Sequence, residues 1–117
     1  MCRFELSLAN YGMSNFQTIC KTHDIPNGSS QMFVVGESQI GVFQINGEFF
    51  AIDNRCPHAA ASLAHGMIEG ETVYCRIHHW QFSLRDGTRL DETCPHSNVR
   101  CFPVRIDGQD LQVDLEG

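Results

Sequence analysis

Residues 56–80 read CPHAAASLAHGMIEGETVYCRIHHW, and this stretch decides how the rest of the chain is read. It opens on Cys56-x-His58 and closes on Cys75-x-x-His78, with sixteen residues between the two halves. Each half supplies one thiol and one imidazole. That mixed sulfur and nitrogen set suits a transition metal or an iron–sulfur centre. Structural zinc sites usually space paired ligands two to four residues apart and aim all four at one ion. Here only Pro57 separates Cys56 from His58, and bringing both onto one small ion is awkward. Two metals side by side remove the difficulty, because each half can give its cysteine to one ion and its histidine to the other.

The stretch resembles a Rieske [2Fe–2S] domain, in which two His replace two Cys on one iron of the cluster. The resemblance extends past the four ligands to HHWQFSLRDG (78–87) and FPVRIDGQDLQV (102–113), and spans roughly Phe16 to Leu115. In pattern the chain is similar to the stand-alone Rieske ferredoxins of bacterial oxygenases, and almost as similar to the small subunit of assimilatory nitrite reductase. The resemblance implies a Rieske-type [2Fe–2S] cluster as cofactor, with Cys56 and Cys75 on the buried iron and His58 and His78 on the outer one. It also implies a β base with a smaller cluster-binding lobe inserted into it.

Length and composition agree with one small domain. The chain has 117 residues, 42% hydrophobic and 19% charged, so it can build one modest core that loop cross-linking by a cluster would reinforce. Its net charge of −6 opposes binding to nucleic acid or to anionic membranes. It suits a carrier that docks on a basic partner, although acidic solubility explains it as simply. Six cysteines without framework spacing do not make a disulfide scaffold. The start, MCRFELSLANYGMSN, does not read as a signal peptide, and no run reaches the roughly 20 apolar residues of a membrane span. A reducing, cytoplasmic setting is the expectation, and there thiols stay available for a cluster.

The pattern along the chain is all-β. Residues 1–15 read as a tail or an added edge strand, and residues 16–117 as the Rieske domain, with the lobe at about 54–97. Strands are expected at 16–20, 31–35, 39–45 and 48–52. Asn46-Gly47 between the last two is a strong type I′ hairpin signal. Further strands are expected at 72–75, 81–84, 101–106 and 111–115, with Asp107-Gly108 turning the final hairpin. Many short strands at this spacing predict a small sandwich or barrel.

Several neighbouring residues need separate readings. His79 is expected to face solvent beside the ligand His78; relatives usually carry Gly there, or Asn in nitrite reductase subunits. Arg76 replaces a usual Pro and adds positive charge beside the site, and Ala60 stands where relatives often have Gly. Cys94-Pro95-His96 copies the first ligand pair but lacks a following Cys-x-x-His, and reads as a decoy. Cys2, Cys20 and Cys101 read as incidental thiols. Trp80 and Phe82 read as packing for the lobe.

With no G-x-G-x-x-G fingerprint and no room for a mononuclear-iron domain, the chain should not turn over a substrate alone. The expected role is a one-electron carrier between a reductase and a terminal oxygenase. The alternatives are the Rieske subunit of an NAD(P)H-dependent nitrite reductase and, in another class, a zinc-binding interaction module.

Charge sets the expected potential. Two ferric ions, two sulfides and two thiolates sum to zero, so neutral imidazoles leave the oxidised site neutral, whereas four thiolates would leave it doubly negative. Adding an electron is therefore easier, and Rieske centres lie at about −150 to +300 mV. Respiratory Rieske proteins carry a disulfide and hydroxyl donors at positions that fall here on Ala61, Ile77, Trp80 and Phe82, none of which is a cysteine or a hydroxyl. Missing hydrogen bonds to sulfur lower the potential. Potentiometric titration should therefore find a midpoint near the low end of that range. A value well above the standard hydrogen electrode would contradict this reading.

Overall fold

The computed structural model describes residues 15–57, 61–77, 79–91 and 97–116. Among them the strands are β1 (Phe16–Lys21), β2 (Ser29–Val35), β3 (Ser38–Ile45), β4 (Glu48–Asp53), β5 (Met67–Glu69), β6 (Thr72–Tyr74), β7 (Gln81–Ser83), β8 (Cys101–Phe102), β9 (Val104–Asp107) and β10 (Asp110–Asp114). They form three antiparallel sheets, ordered β1-β10-β9, β2-β3-β4-β8 and β5-β6-β7. Short 3-10 turns lie at Thr22–Asp24 and Leu63–His65. No described helix is long and apolar enough to cross a membrane.

The β3–β4 hairpin is the centre of the molecule. Asn46 and Gly47 both have positive φ, 52° and 82°, as the type I′ turn requires. Side chains alternate along each strand, and here both faces are covered. Ile40, Val42 and Ala51 pack toward Leu111, Val113 and Val104 of the β1-β10-β9 sheet. Phe43, Ile45, Phe50 and Ile52 pack the other way, against Leu63, Val73, Phe82 and Leu84 of the segment that carries β5-β6-β7. A hairpin buried on both faces explains the nearly continuous apolar run IGVFQI rather than a clean alternation.

Two sequence expectations are corrected. The expected strand 101–106 divides at Pro103: β8 pairs with β4, while β9 pairs with β10 in the other sheet. Proline has no N–H for a ladder, and the Pro103 carbonyl instead accepts Asp114 N–H at 3.1 Å. The final turn also sits one residue later than expected, since Asp107 pairs with Asp110 and Gly108 takes φ 64°. In addition, β5 was not anticipated. It is three residues long and turns into β6 through Gly70 and Glu71, with Gly70 at φ 59°.

Arg85 ties the β5-β6-β7 sheet to the central one. Its guanidinium binds both oxygens of Glu48 on β4, at 3.0 and 2.9 Å, and both oxygens of Glu71, at 3.0 and 2.7 Å. It also lies 5.1 Å from the centroid of the Phe50 ring. The hydrogen bond from Arg85 holds the Glu71 carboxyl below its ordinary range. That contribution is present at neutral pH and is lost as pH falls through the carboxylate range. Half-exposed ion pairs are weak individually, but this one is bidentate on two carboxylates. Arg85→Gln should lower stability by roughly 1 kcal/mol in dilute buffer and by less in molar salt, measured by urea denaturation at both ionic strengths.

Candidate metal centre

The two cysteines of the decisive stretch lie at the feet of two loops that are closed in the same way. In the first, Arg55 and Ser62 form an isolated bridge, and Cys56 N–H donates to the Ala61 carbonyl at 3.0 Å. In the second, which joins β6 to β7, Cys75 N–H donates to the Trp80 carbonyl at 2.8 Å. Each cysteine thus bonds the carbonyl five residues ahead, and in the sequence His58 and His78 lie between the bonded residues. A further bond inside the second tip runs from His79 N–H to the Cys75 carbonyl at 2.8 Å.

Asn54 fixes the first loop from inside the core, where it is 1% exposed. Its backbone N–H donates to the Gln39 carbonyl and its carbonyl accepts Leu63 N–H. Its side-chain oxygen accepts Ala64 N–H at 2.8 Å, and its amide nitrogen donates to Ser62 Oγ at 3.0 Å. One side chain therefore holds both ends of the loop together. Gly66 then brings the chain against β6: a Cβ there would lie 2.1 Å from the Tyr74 carbonyl oxygen, so only glycine fits.

The second loop is braced from the side. The Trp80 ring packs on Phe82 with centroids 6.4 Å apart, and the Arg89 guanidinium lies 3.3 Å from the Trp80 centroid. Arg89 is buried and bonds the Asp91 carboxylate twice, at 3.0 Å each. Asp91 also accepts Gln81 N–H at 2.9 Å. Its carboxyl is held below the ordinary range, first by Arg89. The packing expectation for Trp80 and Phe82 agrees with this arrangement. The Arg89–Asp91 brace went unnoticed in the sequence, where an Arg and an Asp two apart in a loop carry no pattern.

Cys56 and Cys75 are each 1% exposed and belong to one buried cluster with Leu63, Val73, Phe82 and Leu84. Neither is in a disulfide, and nor are Cys20 and Cys101. Burial pushes the Cys20 thiol up to about 11, with Asp24 adding to the shift, and burial also raises Cys101. Neither is poised to ionise, which agrees with incidental thiols. His58 and His78 lie outside the described residues, as do Ala60, Cys2, Cys94 and His96. Among the described residues no three His, Cys, Asp or Glu side chains converge on one point; the two thiols are half of the expected set.

The outer rim of the second loop is open. Arg76, Ile77 and His79 are exposed. His79 takes φ 60°, the left-handed region that favours glycine, and its exposure agrees with the expectation that it faces solvent. Ala61 is half-buried and Phe82 fully buried, so apolar groups stand where hydroxyl or disulfide groups would raise a potential. Two buried thiols at the feet of two tips, with an exposed rim beyond, fit a centre gripped by sulfur from the core side and reachable from outside.

Comparison with known proteins agrees with this geometry. The Rieske [2Fe–2S] domain family matches residues 15–103. The ferredoxin component of biphenyl 2,3-dioxygenase from Rhodococcus jostii is 37% identical over 101 residues, covering 85% of this chain and 92% of that protein. The solved ferredoxin of carbazole 1,9a-dioxygenase from Nocardioides aromaticivorans superposes with a TM-score of 0.75 at 26% identity, covering 86% of this chain and 97% of that one. A Mycobacterium tuberculosis protein assigned as the small subunit of an NADH-dependent nitrite reductase shares the fold, with a TM-score of 0.75 at 24% identity over 84% of this chain and 92% of that one. The chain belongs to the Rieske [2Fe–2S] family. It carries a Rieske-type [2Fe–2S] cluster and serves as an electron carrier, which sets the zinc alternative aside.

Asn54→Ala should remove about 2 kcal/mol by leaving the Ala64 N–H without its acceptor in the core. Iron and acid-labile sulfide per chain should fall with it, while Gln44→Ala, on the same sheet, should keep its iron.

Proposed function

We propose that this chain is the ferredoxin component of a multicomponent oxygenase, with the cluster held by Cys56 and Cys75 from the core side and by His58 and His78 at the rim. The observation that carries the reading is the pair of buried thiols at the feet of two identically closed loops. When bound, the cluster supplies a one-electron store whose potential neutral imidazoles raise above that of all-thiolate ferredoxins. The chain's own part is to bury the two sulfurs, exclude water behind them with Phe82 and Leu84, and leave the histidine side of the loops open to another protein. Electrons come from a reductase and go to a terminal oxygenase, in keeping with the names of the relatives that match most of the chain. The lobe spans about residues 54–97, and the site of action is the cytoplasm. The acidic balance of the chain favours protein partners over nucleic acid or membranes.

A second reading, the Rieske subunit of an NAD(P)H-dependent nitrite reductase, is favoured by one feature. His79 extends the second motif to HHW, where oxygenase-type relatives usually carry glycine. Co-purification separates the two, because a large sirohaem flavoprotein partner belongs to the second reading alone.

Anaerobically purified protein should be red-brown, hold two irons and two acid-labile sulfides per chain, and give on reduction the EPR spectrum of mixed His and Cys ligation. His78→Ala should abolish that spectrum. His79→Gly should keep it and add about 0.5–1 kcal/mol by relieving the left-handed backbone. The reverse pattern would place the ligand at His79.

A further inference from the structure

The rim of the second loop differs in charge from the rest of the molecule. Among the described residues, Lys21, Arg55, Arg85, Arg89, Arg100 and Arg105 are all engaged. The first four pair with carboxylates, Arg100 with the Leu115 carbonyl and Arg105 with the Gln112 side chain. Arg76 is exposed and makes no ion pair or hydrogen bond to any described residue. It lines an open pocket of about 300 Å³ together with His65, Met67, Cys75 and His79. Of the two carboxylates nearby in sequence, Glu71 is paired with Arg85, and Glu69 accepts the Tyr74 hydroxyl at 2.9 Å. Exposed apolar groups flank the site, with Met67 at 64% and Ile77 at 52% exposure. An arginine with no partner among the described residues, set among exposed apolar side chains beside a ligand-loop cysteine, has the composition of an interface centre.

We propose that this rim docks a carboxylate-bearing patch on the protein that exchanges electrons with the chain, with Arg76 as the charged anchor. The exit face is then locally positive on a chain of net charge −6. Its partner presents acidic groups, contrary to what the net charge alone suggests. The proposal rests on the electron-carrier reading above.

Small outer-sphere oxidants of opposite sign test it without needing the partner. The reduced holoprotein gives one electron to hexacyanoferrate(III), a trianion, or to hexaamminecobalt(III), a trication. Each metal falls by one oxidation state. A positive rim predicts that the hexacyanoferrate rate falls with rising ionic strength despite the net charge. It also predicts that Arg76→Gln slows this reaction by about threefold and Arg76→Glu by roughly tenfold, while both speed the cobalt reaction.

Driving force cannot imitate the first result. Removing a positive charge lowers the midpoint potential and by itself would speed oxidation. Lys21→Gln makes the same change in net charge away from the rim and should leave both rates as they are.

Calorimetry with the redox-inert hexacyanocobaltate(III) gives a second readout, with binding weakened about threefold in Arg76→Gln and unchanged in Lys21→Gln. Equal effects of the Arg76 and Lys21 substitutions would overturn the proposal. So would a low-salt dimer that Arg76→Glu dissolves, since the rim would then belong to a second copy. If neither oxidant reacts with the dithionite-treated protein, it is the electron-carrier reading that fails.

Discussion

Burial of two cysteine sulfurs in an apolar core is the constraint on which the rest of the structure depends. Cys56 and Cys75 lie among Leu63, Val73, Phe82 and Leu84. A thiolate there, without a compensating cation, would carry a large desolvation cost. Iron supplies that cation, which couples cluster binding to the folding of the two cysteine loops. Among the described residues, the sheet beside those loops, β5-β6-β7, has strands of three residues each. The protein can afford such meagre secondary structure because the loops are anchored elsewhere: Asn54 on the first, and the stacked Trp80, Arg89 and Asp91 on the second.

The central hairpin gives those anchors something rigid to stand on. Its two faces serve different ends. One closes the base with Leu111 and Val113, and the other receives the loops through Phe43, Phe50 and Ile52. Asn54 follows directly from β4 and bonds back to Gln39 at the head of β3, so the first cysteine is two residues from a point fixed to the central hairpin. Arg85 joins the far end of the lobe to Glu48 on the same hairpin. The first loop is thus tied to the central sheet through Asn54 and the sheet that carries the second through Arg85, and this suits a site that must keep its shape while its charge changes by one unit.

How much of this the sequence disclosed follows from how local each signal is. Asn46-Gly47 names its own turn, because few residue pairs tolerate positive φ twice in succession. The Cys-x-His and Cys-x-x-His pairs are equally local and led to the family. Pro103 was visible but misread: a proline inside a β-like run marks a strand that ends and resumes elsewhere, not one that continues. The β5 strand was hidden because three residues cannot display a period, and its pairing depends on Gly70 allowing a tight return. Asn54 and the Arg89–Asp91 brace were invisible for a deeper reason. Their importance lies in partners from other strands, and nothing in the residues beside them announces burial.

Proteins with different biological homes share this backbone closely, at TM-scores of 0.75 and identities of 26% and 24%. Fold alone therefore does not select a partner. What the backbone demands is confined to positions such as Gly66 and Gly87, where a Cβ would strike a carbonyl oxygen at 2.1 Å, and to the packed faces of β3 and β4. The exposed rim at Met67, Arg76, Ile77 and His79 is under no comparable demand. His79 even tolerates a backbone conformation that glycine would take at less cost. Positions that packing does not dictate are free to differ between carriers built on the same scaffold, and they are where partner choice can be written.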